Sequence, residues 1–106
     1  MILDLPLTVF ARKQIIDFAR RLRLIDVHET REWAEAGGLF SYEIVFEPTL
    51  LRTADMVDRI LRGAKPADMP VELPSHYEQV VNLRVAKMQG LKIPQSILLR
   101  ADRVIE

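Results

Sequence analysis

The run Leu39 to Phe46, LFSYEIVF, constrains the fold most. It is aromatic and β-branched, with Gly37-Gly38 in front and Pro48 behind, and it reads as a strand. Helical patterns flank it. Over residues 9–23, Ala11, Ile15, Phe18 and Leu22 recur on one face, while Arg12, Lys13, Asp17, Arg20 and Arg21 occupy the others. Beyond the strand, Pro48 suits the first turn of a helix in which Leu50, Ala54, Val57 and Leu61 form an apolar stripe. Arg52, Asp55, Asp58, Arg59 and Arg62 face away from that stripe, and Gly63 closes it.

Shorter signals fill the remainder. Leu24 to Val27 leans towards strand, and Thr30 suits the N-cap of a short helix through Glu35, stopped by Gly37-Gly38. Tyr77 to Val81 reads as a strand, and Asn82 caps a helix from Leu83 to Gln89 that Gly90 ends. Pro94 opens a last helix with Leu98, Ala101 and Ile105 on one side. Strands alternating with helices indicate an α/β fold with a largely parallel sheet flanked by helices. The length of 106 residues is that of a single domain. Within it, residues 64–75 carry Pro66, Pro70 and Pro74 and read as an extended crossing segment.

Charge narrows the function. Lys and Arg total 15 and Asp and Glu total 15, which argues against a dedicated nucleic-acid binder. Without cysteine there are no disulfides, no thiolate catalysis and no cysteine-held metal, and no cofactor or metal is expected. No apolar run approaches the ~20 residues that span a bilayer. The start, Met1 to Pro6, has no basic region and is interrupted by Asp4 and Pro6, so the chain as written is expected in the cytoplasm.

Catalytic chemistry is thinly represented, and an enzyme is not expected. His28 beside Glu29 and Glu32 can be drawn as an acid–base cluster, or as a strand-end histidine next to a solvated helix start. Arg12, Lys13, Arg20, Arg21 and Arg23 make the first helix basic, yet no stacking aromatic interleaves with them, and a solvated face is the simpler reading. Trp33, flanked by Glu32 and Glu35, is either a ligand-stacking ring or the anchor of its helix on the core.

Residues 31–42, REWAEAGGLFSY, closely resemble the S-R-E-F-V-E-A-G-G-L-M-S-Y-G signature of bacterial ABC-transporter substrate-binding proteins of the tryptophan/tyrosine type. The resemblance continues in order. Val57 to Glu72, VDRILRGAKPADMPVE, is similar to the family's V-D-R-I-L-K-G-A-K-P-A-D-L-P-V-E. Val81-Asn82-Leu83 with Ala86-Lys87, and Ile93-Pro94 with Leu98 to Glu106, resemble its I-N-L-K-T-A-K and its I-P-P-S-L-L-A-R-A-D-E-V-I-E end. Members have about three hundred residues in two lobes, so the likeness covers their C-terminal third. It implies part of a type I periplasmic-binding fold, with pieces of both lobes and the 47–62 helix in the first. The sequence departs from the family at Glu43-Ile44, where Gly-Pro is usual, and this favours a strand running straight through Phe46.

The implied function is binding of a small organic solute such as an aromatic amino acid. Intact members work in the periplasm and hand the solute to an ABC permease. Ligands of open α/β folds sit at the carboxyl ends of parallel strands, here Thr30-Arg31 and Ser41-Tyr42. Arg31 would pair with a solute carboxylate, Thr30 and Ser41 would hydrogen-bond it, and Tyr42 would supply an apolar face. The alternative is an interaction module or truncated remnant without a solute. Because the 47–62 helix wants cover on more than one face, a homodimer is expected, with that helix or the segment from 64 onward exchanged as a variant. Neither nucleic acid nor membrane insertion is expected.

Overall fold

Two strand–helix–strand units, joined back to back, make one four-stranded sheet in the computed structural model, which describes Met1 and residues 3–106. The first runs β1 (Val27–His28), α3 (Arg31–Glu35), β2 (Phe40–Ile44), and the second β3 (Tyr77–Asn82), α5 (Leu83–Gln89), α6 (Gln95–Leu98), β4 (Arg103–Ile105). Ahead of them stand α1 (Pro6–Phe10) and α2 (Arg12–Arg21), and between them α4 (Phe46–Leu61) and a single 3-10 turn at Pro66–Asp68. Strands lie in the order β1-β2-β3-β4. β1 pairs parallel with β2, His28 beside Ser41, and β3 parallel with β4, Val81 beside Val104. Between β2 and β3 the Asn82 amide donates to the Leu39 carbonyl (2.9 Å) and the Val45 amide to that of His76 (3.0 Å). Numbers fall along one strand as they rise along the other, so this central pair is antiparallel. The sheet is therefore largely parallel, as read.

The chain divides into two compact units, Met1–Glu43 with Glu78–Glu106, and Ile44–Tyr77. Length had suggested one domain. The return to the first unit falls on β3, and residues 64–75 lie wholly inside the second. In the first unit the core is formed by Ile16, Ala19, Trp33, Ala34, Leu39, Val80, Val81, Val85 and Ala86. Paired residues share a face, so His28, Ser41 and Val80, each fully buried, lie side by side under α3. In the second unit no residue of α4 is buried: Leu50 is 63%, Val57 49% and Leu61 81% exposed.

Several local expectations need correction. The first helix starts at Pro6 and breaks at Ala11, and it buries Ile16 and Ala19, whereas Phe18 and Leu22 are half exposed. Arg12 and Arg20, assigned to the outer face, point inwards. The Arg12 guanidinium lies 5.2 Å from the Trp33 ring centroid, and Arg20 donates to the Gly37 carbonyl at 3.2 Å. β2 stops at Ile44 and α4 begins at Phe46, two residues before Pro48, so the strand does not run through Phe46. The last helix ends at Leu98. The Asp102 amide donates to the Gln79 carbonyl and its carboxylate accepts the Gln79 amide, which turns Arg103–Ile105 into a strand against β3. Asn82 behaves as read: its Oδ1 accepts the Val85 amide at 3.1 Å, and Gly90 ends α5 at φ +72°.

Candidate functional site

In the first unit the carboxyl end of β1, Glu43 of β2 and Glu78 of β3 lie beside the start of α3. Thr30 precedes α3 with an extended backbone, but its hydroxyl does not cap the helix. It donates instead to Asp4 Oδ2 at 3.1 Å. Asp4 also accepts the indole N–H of Trp33, which ties the N-terminal segment to this end of the sheet. Arg31 follows, half exposed, at the first position of α3.

Three carboxylates surround the Arg31 guanidinium: Glu78 at 3.7 Å, Glu32 at 3.8 Å and Glu43 at 4.0 Å. These are long ion pairs, beyond hydrogen-bond distance, so the guanidinium keeps its donors for a partner placed in line with them. The Arg31 backbone amide donates to Glu43 Oε2 at 3.3 Å. Glu43 lies opposite Glu78 across the antiparallel pair, and its carboxyl is pushed up to about 6. Burial is the main cause and the hydrogen bond to Glu78 the next, while the Arg31 amide works the other way.

The four residues expected at the site are not gathered into one cluster. Thr30 and Arg31 stand together at the end of β1. Ser41 pairs with His28 one step inside the sheet, fully buried, and its hydroxyl has no partner among the described residues. Tyr42 points to the opposite face of the sheet and is half exposed. Glu43 and Glu78 were missed as site residues. The departure at Glu43 had been noticed only as a change in backbone freedom, and Glu78 carries no local signal, since strand register alone brings it there.

His28 belongs to a different arrangement. Its Nε2 meets Asp26 Oδ2 at 2.5 Å, its ring stacks on Trp33 at 4.5 Å between centroids, and both side chains are fully buried. Asp26 also accepts the Leu39 amide at 3.2 Å. The acid–base drawing with Glu29 and Glu32 is thus overturned, since Asp26 is the ring's partner, whereas His28 does end β1 ahead of the exposed start of α3, as the simpler reading had it. Trp33 is the anchor of α3 rather than a ligand-stacking ring. Among the described residues, no group of three or more His, Asp or Glu is arranged to hold a metal ion.

Comparison with known proteins decides the relationship. A sequence model of the family described as ABC transporter substrate binding protein matches residues 12–105. The chain belongs to that family. No match was found among curated proteins. Among solved structures, an ABC domain from Streptococcus pneumoniae in complex with L-Trp is 30% identical, with a TM-score of 0.73 over 92% of this chain. A conserved domain protein from Vibrio cholerae (24% identity, TM-score 0.77, 96% of this chain) shares the fold. So does a substrate-binding protein with adhesive properties from Clostridium difficile, in its ligand-free, open form (21%, 0.70, 97%). The chain spans about a third of the length of these structures, 34% of each. The family and the periplasmic-binding-protein-like fold read from the motifs at 31–42 and 57–72 therefore stand.

Proposed function

We propose that this chain takes part in binding a small organic solute, an aromatic amino acid being the best candidate, for delivery to an ABC permease. The observation that carries the reading is Arg31: a half-exposed guanidinium at the carboxyl ends of two parallel strands, with long ion pairs to three carboxylates. Its planar fork suits the carboxylate of an amino acid, and Thr30 beside it can add a hydrogen bond by leaving Asp4. Tyr42 offers an exposed ring from the other face. Ser41 is the least accessible of the four, and its unpartnered hydroxyl fits a role taken up only if the end of β2 opens. The S. pneumoniae relative binds L-Trp, which supports an aromatic amino acid as the first solute to try. The activity is binding, not chemistry, in keeping with a family whose members carry solutes outside the cytoplasmic membrane. Isothermal calorimetry with a panel of amino acids tests it. Saturable heat with L-tryptophan or L-tyrosine, lost in Arg31→Ala, is the expected result, and no heat with any amino acid contradicts it.

A second reading is favoured by α4, which buries none of its residues. On that reading the chain is an interaction module, and its function lies in covering this helix with a second copy. A dimer whose mass and stability ignore every amino acid would favour it over solute binding.

A further inference from the structure

Glu43 and Glu78 occupy directly opposed positions on β2 and β3, with side chains 15% and 22% exposed. Two carboxylates so placed repel unless one keeps a proton, and a proton kept there can be shared between them. The charged groups facing Glu43 are Arg31 and Glu32 from α3 and Glu78 from β3. With one proton shared, the pair carries a single negative charge that Arg31 balances. Once the proton leaves, Glu43, Glu78 and Arg31 together hold one uncompensated negative charge in a place largely removed from water.

We propose that Glu43 and Glu78 share one proton, that the ammonium group of an amino-acid solute displaces it, and that solute binding at Arg31 is thereby coupled to proton release. The proposal rests on the reading of Arg31 as the carboxylate anchor. An α-amino acid carries its two charges on neighbouring carbons, so a solute held at Arg31 brings its ammonium to carboxylates that lie 3.7 and 4.0 Å from the same guanidinium. The ammonium then donates to both carboxylates and the proton passes to solvent, so no bond other than the O–H is broken. Burial first, and the Glu78 hydrogen bond second, hold the Glu43 carboxyl near about 6, within a readily measured range.

Calorimetry on the 106-residue chain with L-tryptophan tests the coupling, run at pH 5 and 7.5, and at pH 6 in two buffers of different ionisation heat. The expected result is affinity about tenfold weaker at pH 5 than at pH 7.5, with buffer-dependent heat at pH 6 that reports a released proton. Glu43→Gln, near in shape to the native side chain, should abolish both signals, and Glu78→Gln should weaken them, since burial still raises Glu43 there. Equal affinity at the two pH values with no buffer dependence would overturn the proposal. A carboxyl-detected NMR titration of the ligand-free chain reads the pair without solute. It should show Glu43 titrating near 6 in the native chain and lower in Glu78→Gln, where burial alone still holds it above the ordinary value. If L-tryptophan gives no heat, the binding reading and its coupling fall together. The titration still decides the shared proton, which falls if Glu43 titrates at the ordinary value.

Discussion

Gly38 shows how single positions set this site. A Cβ there would lie 2.7 Å from His28 Cδ2 and 3.0 Å from the Trp33 carbonyl oxygen, so the strand entry accepts no side chain. Gly38→Ala is expected to cost about 2 kcal/mol by forcing the buried His28–Trp33 stack apart, measurable as a lower urea midpoint. Glu43 acts through charge instead. Its carboxyl takes up protons more readily folded than unfolded, so its stabilising contribution is complete below about 4.5 and is lost as pH rises through about 6. Relative to Glu43→Gln, the native chain should therefore lose on the order of 1 kcal/mol between pH 4.5 and 7 in urea titrations, once solvent screening is allowed for. A stability difference flat across that range would remove the burial argument.

Elements were legible where a local rule and the tertiary packing agree. Asn82 is such a place. Its side chain accepts the Val85 amide and donates to the Ala34 carbonyl at 2.8 Å, joining α5 to α3 across the sheet. Asn82→Ala should cost about 2 kcal/mol, more than a cap alone, because the Ala34 carbonyl loses its donor as well, and thermal unfolding would show it. Legibility failed where short apolar runs fit two periods. Leu98, Ala101 and Ile105 have helical spacing, yet Val104 and Ile105 enter β4 because the backbone of β3 is free to pair there. The face of α2 was misjudged because Trp33 draws Arg12 inwards and the Gly37 carbonyl draws Arg20, long-range contacts that spacing does not contain. The site was half legible. Strand ends pointed to Thr30 and Arg31, whereas Glu78 arrives by strand register, which no local pattern encodes.

At the scale of the whole molecule, much apolar surface of α4 lies open. The chain spans about a third of the length of the structures it resembles, and α4 carries Phe46, Leu50, Leu51, Val57 and Leu61 at 49–81% exposure. Patches of this kind are commonly covered by association. The expected state of the isolated chain is a homodimer by light scattering coupled to gel filtration, converted to monomer by Leu50→Lys with Val57→Lys while the melting of the first unit is unchanged. A monomer at high micromolar concentration would remove the dimer. The central claim is that a solute is held at the carboxyl ends of β1 and β2, and amide chemical-shift mapping tests it most directly. Titrating L-tryptophan into the labelled chain at pH 7.5 should move the resonances of Thr30, Arg31, Tyr42 and Glu43, saturably and less in Arg31→Ala. Shifts absent at these residues, or confined to residues 44–77, would contradict it.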